Sequence, residues 1–199
     1  MPAMDYARIA DLYDSYVQVS IDIPFFNKYA EQAQSVLELM SGTGRVSIPL
    51  AQAGANLTCV DSSPEMLAYL RQKSYEQGAA LQIVQADVTE LDLGRTFDLV
   101  LLPFNAFSEI TNPADQRKAL VLIRKHLAPG GKFILTMHNP PVRLQTVGQG
   151  LKLRNKLSEP DRTILLWSEE EYDSDSQLVS GMQFLEVYDA SGVMIEKRY

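Results

Sequence analysis

The stretch Leu37–Ala51, LELMSGTGRVSIPLA, decides how this chain is read. An apolar run carrying one glutamate, Glu38, breaks at Gly42 and Gly44, and Val46, Leu50 and Ala53 then share one helical face. In a strand–turn–helix of this kind, backbone N–H groups and a helix N-terminus face a ligand. Pro49 is tolerated because the first N–H groups of a helix starting near Gly44 have no intrahelical partner. Phosphate-binding NTPases need G-x-x-x-x-G-K-[ST]; here Gly44 precedes Arg45 and Val46, and that reading is rejected. A dinucleotide loop, G-x-G-x-x-G/A, is not excluded, since Ser47 holds the third small position. Glu38 argues against it: a fixed negative charge disfavours a neighbouring pyrophosphate and favours a cationic ligand.

Outward from this loop, strands are expected at Ser35–Leu39, Asn56–Val60, Leu81–Gln85, Phe97–Leu102 and Lys132–Met137. Several are almost continuously apolar, as in strands covered on both faces. Between them fall helical patterns. One opens at Ser63-Pro64, an N-cap followed by proline, with Leu67 and Leu70 inward; another opens at Pro113 and is expected to end at Pro129–Gly131. The alternation predicts an α/β fold, a doubly wound parallel sheet of Rossmann-like order 3-2-1-4-5 with helices on both faces. Tyr6–Val19 reads as an amphipathic helix with Ile9, Leu12, Tyr13 and Tyr16 together. Residues 138–160 read as loop, and three antiparallel strands follow, the last two joined by a turn at Asp189–Gly192. The expected division is 1–139, a core with its N-terminal helical cap, and 140–199, an antiparallel strand lobe or edge hairpin.

Composition narrows the partners. The chain has 199 residues and a net charge of -7, which argues against a nucleic-acid surface. One cysteine, Cys59, cannot pair internally, and no long apolar run or signal-peptide pattern is present. The expectation is a cytoplasmic protein without a membrane segment. Two widely separated histidines and one cysteine predict no metal site.

Two further carboxylates fall at successive strand ends. Asp61 is placed to accept hydrogen bonds from ribose hydroxyls, and Asp87 from an adenine amino group. S-adenosylmethionine carries a sulfonium and an ammonium group but no phosphate, and it suits Glu38 as well as these two.

From Tyr6 to Met137 the chain resembles the small-molecule branch of the class I S-adenosylmethionine-dependent methyltransferases. VLELMSGTGR resembles their acidic-x-G-x-G-x-G motif, with Met40 where the first glycine is usual, which is tolerable if that position keeps a negative φ. The resemblance implies cofactor contacts from Glu38, Met40, Ser41, Gly42 and Gly44. The segment Asp61–Leu67 resembles the second motif, implying that Asp61 and Ser62 lie at the ribose and Met66 near the adenine. Ala86–Val88 resembles the adenine-binding segment, with Asp87 and Val88 the contacts. FDLVLLPFNAFSEI resembles the fourth motif, whose Pro103, Phe104 and Asn105 line the donor's methionine part. Tyr13 is the candidate to cover the cofactor.

Other residues read differently. Tyr69 and Lys73 have a short-chain dehydrogenase spacing but lie upstream of Asp87, the wrong place. His126 is expected to cap a helix C-terminus. His138 is a general-base or substrate-contact candidate against loop hydrogen bonding. Glu109 and the acidic run Ser168–Ser176 read as solvated.

The function expected is methyl transfer from S-adenosylmethionine to a small-molecule acceptor. The alternatives are a non-catalytic or truncated binder of S-adenosylmethionine or S-adenosylhomocysteine, and an NAD(P)-dependent oxidoreductase. Family members finish with a further helix and strand pair, whereas this chain stops at EKRY. The preferred reading makes the late strands a substrate-side lobe and leaves the fifth strand as an open edge, available for a dimer. The other makes residues 141–157 a degenerate helix leading to the family's own hairpin.

Overall fold

A computed structural model describes residues 6–198. Tyr199, the end of the last expected strand, lies outside the described residues. The chain forms two compact units, residues 19–137 and a second made of residues 1–18 with 138–199.

In the first unit the elements are α2 (Ile23–Ala30), β1 (Val36–Leu39), α3 (Ser47–Gln52), β2 (Leu57–Asp61), α4 (Pro64–Glu76), β3 (Leu81–Gln85), β4 (Phe97–Leu102), α5 (Pro113–Lys125) and β5 (Leu127–Leu135). The five strands are parallel in the order β3-β2-β1-β4-β5, as expected. β1 is buried at all four positions because helices cover both faces of the sheet centre. Phe26, Val46, Leu50, Leu67 and Leu70 pack with Val36 and Cys59 in one cluster. Leu37, Leu39, Val60, Val88, Val100 and Ile123 form the other. Strand order reverses between β1 and β4, so the crevice outside their carboxyl ends is where such sheets bind ligands.

Three local expectations are corrected. The pattern at 22–30 forms α2, with Asp22 at its N-cap and Pro24 in its first turn, although the sequence reading assigned no helix there. α5 ends at Lys125 rather than at Pro129–Gly131. His126 O accepts the Phe97 N–H at 2.8 Å and Leu127 pairs with Phe97, so the chain enters the sheet before the glycines. The ladder then skips from Leu127 to Lys132, and the Pro129–Gly131 segment bulges out between them. α3 begins at Ser47, three residues after Gly44, near which the helix was expected to start.

The second unit holds α1 (Ala10–Tyr16), α6 (Pro140–Leu144), β6 (Lys152–Ser158), β7 (Arg162–Asp173), β8 (Leu178–Asp189) and β9 (Met194–Arg198). Its strands form a separate antiparallel sheet, β6-β7-β8-β9. The sheet has four strands, not three, and residues 138–160 are not loop throughout, since α6 and β6 lie there. Ile9 and Leu12 pack against Ile164, Leu166, Leu185 and Val187, alternate residues from one face of β7 and β8. The helix expected to belong with the first domain is therefore packed within this unit. Arg198 holds the Asp11 carboxylate at 2.5 Å and donates to Arg8 O at 3.1 Å, tying β9 to α1.

Candidate cofactor site

The carboxyl edge of the parallel sheet gathers most of the expected residues. Glu38 is the third of β1's four residues and pairs in register with Cys59, two places inside Asp61. That stagger leaves Glu38 1% exposed while Asp61 sits half-buried at the edge. The buried Ser47 hydroxyl donates to Glu38 Oε2 at 2.7 Å, joining β1 to the start of α3. Burial pushes the Glu38 carboxyl up to about 8. The Ser47 bond and the Arg45 charge oppose the rise, and Asp61 and Asp22 add to it. Burial also pushes the Cys59 thiol up, helped by the Glu38 charge, so Cys59 is an unreactive core residue.

Between β1 and α3 the chain turns through left-handed backbone at Met40, Gly42 and Gly44, with φ of +53°, +55° and +88°. The expected negative φ at Met40 is not found. The Ser41 N–H donates to Val60 O at 3.0 Å and the Gly44 N–H to Ser41 O at 3.0 Å, and this tight exit from the strand imposes the turn. Met40 therefore carries strain that a glycine would not.

Asp61 Oδ2 accepts the Gly42 N–H at 2.7 Å and Oδ1 accepts the Ser63 N–H at 2.9 Å. Burial raises its carboxyl above the usual range, against the pull of backbone N–H groups from Ser63, Gly42 and Ser62. A carboxylate has about four lone-pair sites, so after these three amides it can still accept a hydrogen bond from a hydroxyl. Ser63 caps α4 by accepting the Met66 N–H at 3.2 Å, as expected. Met66 is buried on the first turn of α4, and Val88 lies in the core, while Ser62 and Asp87 are exposed. Asp87 Oδ1 holds the Thr89 N–H and hydroxyl, each at 2.7 Å.

At the end of β4, Pro103 is buried, Phe104 is 37% exposed, and Phe104 and Asn105 are left-handed at φ +58° and +62°. The sequence reading missed the residues that hold this corner. Arg45 makes a two-point ion pair with Asp22 at 2.7 and 2.8 Å and donates to Val19 O at 2.7 Å. Its guanidinium lies 4.4 Å from the Phe104 ring centroid, a cation–π contact. The Arg45 bond holds the Asp22 carboxyl below its ordinary range. The signal for Arg45 was its place directly after the glycine loop; Asp22, distant in sequence, gave none.

Tyr13 belongs to the other unit, edge-on to Tyr6 and Tyr16 at 6.0 and 5.5 Å. His138, also there, is exposed; burial and the nearby Arg143 charge lower its pKa, against Glu170. Arg143 and Arg154 both pair with Glu170, at 2.7 and 2.8 Å. His126 does cap α5. Its Nδ1 bonds Leu122 O at 2.7 Å, and its Nε2 accepts the Leu93 N–H at 2.9 Å. A cavity of about 670 Å³ beside it, reaching Arg95 and Lys118, lies by the amino end of β4 rather than at the carboxyl edge. No His, Cys, Asp or Glu cluster able to hold a metal occurs among the described residues.

The fixed negative charge expected at Glu38 is not found, because burial favours its protonated form. What the site offers a ligand is polar: the Asp61 carboxylate and the loop. Ser41 Oγ is buried without a hydrogen-bond partner among the described residues, and a Cβ built on Gly42 would meet nothing within 4 Å. The loop therefore has an unsatisfied hydroxyl and open space together, beside carboxylates and with no cation-tipped phosphate cradle.

The fold is that of a Rossmann-like domain, with the glycine loop and Asp61 as its candidate ligand site. Residues 36–131 match the methyltransferase domain family model. A glycine/sarcosine N-methyltransferase of Halorhodospira halochloris is 33% identical over 109 residues, 54% of this chain and 41% of that protein. A cypemycin N-terminal methyltransferase of Streptomyces is 34% identical over 107 residues, 54% and 43% of the two chains. The chain spans about half the length of the curated relatives it matches. Among solved structures, the CcbJ methyltransferase from Streptomyces caelestis is 28% identical with a TM-score of 0.76, covering 95% of this chain and 76% of that one. An amino pentose methyltransferase from Micromonospora echinaspora, solved with S-adenosylmethionine bound, shares the fold at 22% identity and a TM-score of 0.72, covering 98% and 78%. Over residues 36–131 the chain is thus similar to the methyltransferase domain family, and it shares its fold with solved methyltransferases. No helix among the described residues is long and apolar enough to cross a membrane.

Proposed function

We propose that this chain transfers a methyl group from S-adenosylmethionine to an amine nitrogen of a small molecule. The observation that carries the reading is the carboxyl edge itself, where Asp61, fixed by the Gly42 and Ser63 amides, stands beside a glycine loop. Asp61 would hold the ribose, Asp87 the adenine amino group, and the Ser41 hydroxyl a polar atom of the donor. Pro103, Phe104 and Asn105 would line the methionine part. When bound, the donor supplies an electrophilic methyl on a sulfonium, which is displaced in line with a neutral thioether as leaving group. Such a displacement needs no nucleophile from the protein, so the chain's work is to hold acceptor and methyl in near-attack geometry away from water. An amine reacts only as the free base, so an acceptor that arrives as ammonium must lose a proton first. The amine is supported by the relatives named as N-methyltransferases, those acting on glycine and sarcosine and the sugar N-methyltransferase from Streptoalloteichus among them.

Calorimetric titration with S-adenosylhomocysteine, with NADH in parallel, tests the donor. Micromolar binding, weakened at least tenfold by Asp61→Ala, is expected, a loss of about 1.4 kcal/mol or more. NADH binding without a response to S-adenosylhomocysteine would overturn the reading. Transfer of labelled methyl to glycine, sarcosine or an amino sugar, but not to a quinone, is the expected acceptor result.

A further inference from the structure

Two successive left-handed residues that are not glycine, Phe104 and Asn105, cost energy that their surroundings must offset. Much of the polar hold comes from one residue just past β5. Thr136 accepts the Phe104 N–H on Oγ1 at 2.8 Å and the Asn105 N–H on its carbonyl at 3.2 Å, and it donates its own N–H to Leu102 O at 3.2 Å. The two main-chain bonds prolong the β4–β5 ladder and are open to most residues at this position. The Oγ1 bond is not: it needs a hydroxyl on a short side chain. From the other side the Arg45 guanidinium, locked by Asp22, lies against the Phe104 ring. The ring is thus held while 37% exposed at the crevice where strand order reverses.

We propose that Thr136 is a positioning residue for the donor site, its hydroxyl fixing the Phe104 amide and, through it, the strained corner that carries the exposed Phe104 ring. The role rests on the methyl-donor reading of this edge. Released from Thr136, Phe104 can relax toward negative φ, and its ring then swings away from Arg45 and from the crevice.

Thr136→Val exchanges the hydroxyl for a methyl at nearly equal volume, and Thr136→Ser keeps the acceptor. Three quantities are read on the full chain: amide exchange at Phe104 without ligand, the S-adenosylhomocysteine dissociation constant, and the melting temperature. The valine variant is expected to exchange the Phe104 amide faster and to bind S-adenosylhomocysteine about tenfold more weakly, the size of one hydrogen bond. The serine variant is expected to restore both while melting no higher than the valine variant. A residue that only stabilised the fold would move the melting temperature and leave affinity untouched. Wild-type affinity in the valine variant, or a serine variant as weak as the valine one, overturns the role. A wild-type chain that does not bind S-adenosylhomocysteine overturns the donor reading, and this role with it. If the valine variant melts below the assay temperature, Thr136→Ala carries the same expectations.

Discussion

Glu38 shows how much one residue's chemistry depends on its register. As a charge in a motif it was legible in the sequence; its burial was not, because that follows from β1 lying between β2 and β4 with Glu38 two places inside the sheet edge. Its folded pKa, about 8, lies above the ordinary carboxylate value of 4.5, so folding favours the protonated form. The stabilisation this brings is complete below pH 4.5 and is lost as pH rises through about 8. Glu38→Gln keeps the neutral shape and is expected to flatten that dependence. Its melting temperature should fall less than the wild type's between about pH 5 and about pH 9. Parallel curves would show that Glu38 does not titrate across this range. Met40 gives the opposite lesson. The missing glycine was visible, but the positive φ that makes the substitution costly appears only once Ser41 is tied to Val60.

Among the elements, β3 and β4 were readable to the residue: β4 is an apolar run that declares a buried strand, and β3, half-buried at the sheet edge, centres on the β-branched pair Ile83-Val84. β6 was not. KLRNKLS has charges at three of seven positions, and what makes it a strand is its pairing with β7. Charged edges of this kind suppress unwanted pairing. α2 left a signal in Asp22 and Pro24, with Phe26 and Ala30 buried one turn apart, that the reading did not use. The β7–β8 hairpin depends on one close approach. A Cβ on Gly181 would lie 2.0 Å from the Glu169 carbonyl oxygen, a backbone atom that cannot step aside. Gly181→Ala is expected to destabilise the hairpin by about 1–3 kcal/mol, the cost of an overpacked site. Urea denaturation followed by Trp167 fluorescence reads it. An unchanged midpoint would mean that the strands part there at little cost.

At the scale of the molecule, the two units each have a core of their own. In the second, α1 and its N-cap supply Leu12, 2% exposed, and Ile9 to the face of β7 and β8. Leu12→Ala is expected to cost that unit about 2–5 kcal/mol, as buried leucine truncations do. Amide exchange should quicken in β6–β9 while β1–β3 stay as protected as in the wild type. Equal loosening of both sheets would show one cooperative core instead of two. β5 has no neighbour beyond β4 among the described residues, and the dimer expected through that edge is tested by sedimentation.

By itself, the sequence determined the parallel core, its strand order and the place of the glycine loop after the first strand. These follow from local patterns: the period of apolar residues, the glycines at the turn and the N-cap and proline that open the helix after the second strand. Only the tertiary structure decided the rest, namely the depth of Glu38, the left-handed corner held by Thr136 and Arg45, and the attachment of α1 to the antiparallel sheet. Each joins residues far apart in the chain, such as Phe104 with Thr136 and Asp11 with Arg198. Periodicity and propensity describe a residue and its near neighbours along the chain, whereas burial, hydrogen-bond partners and strain are set by residues that meet only after folding.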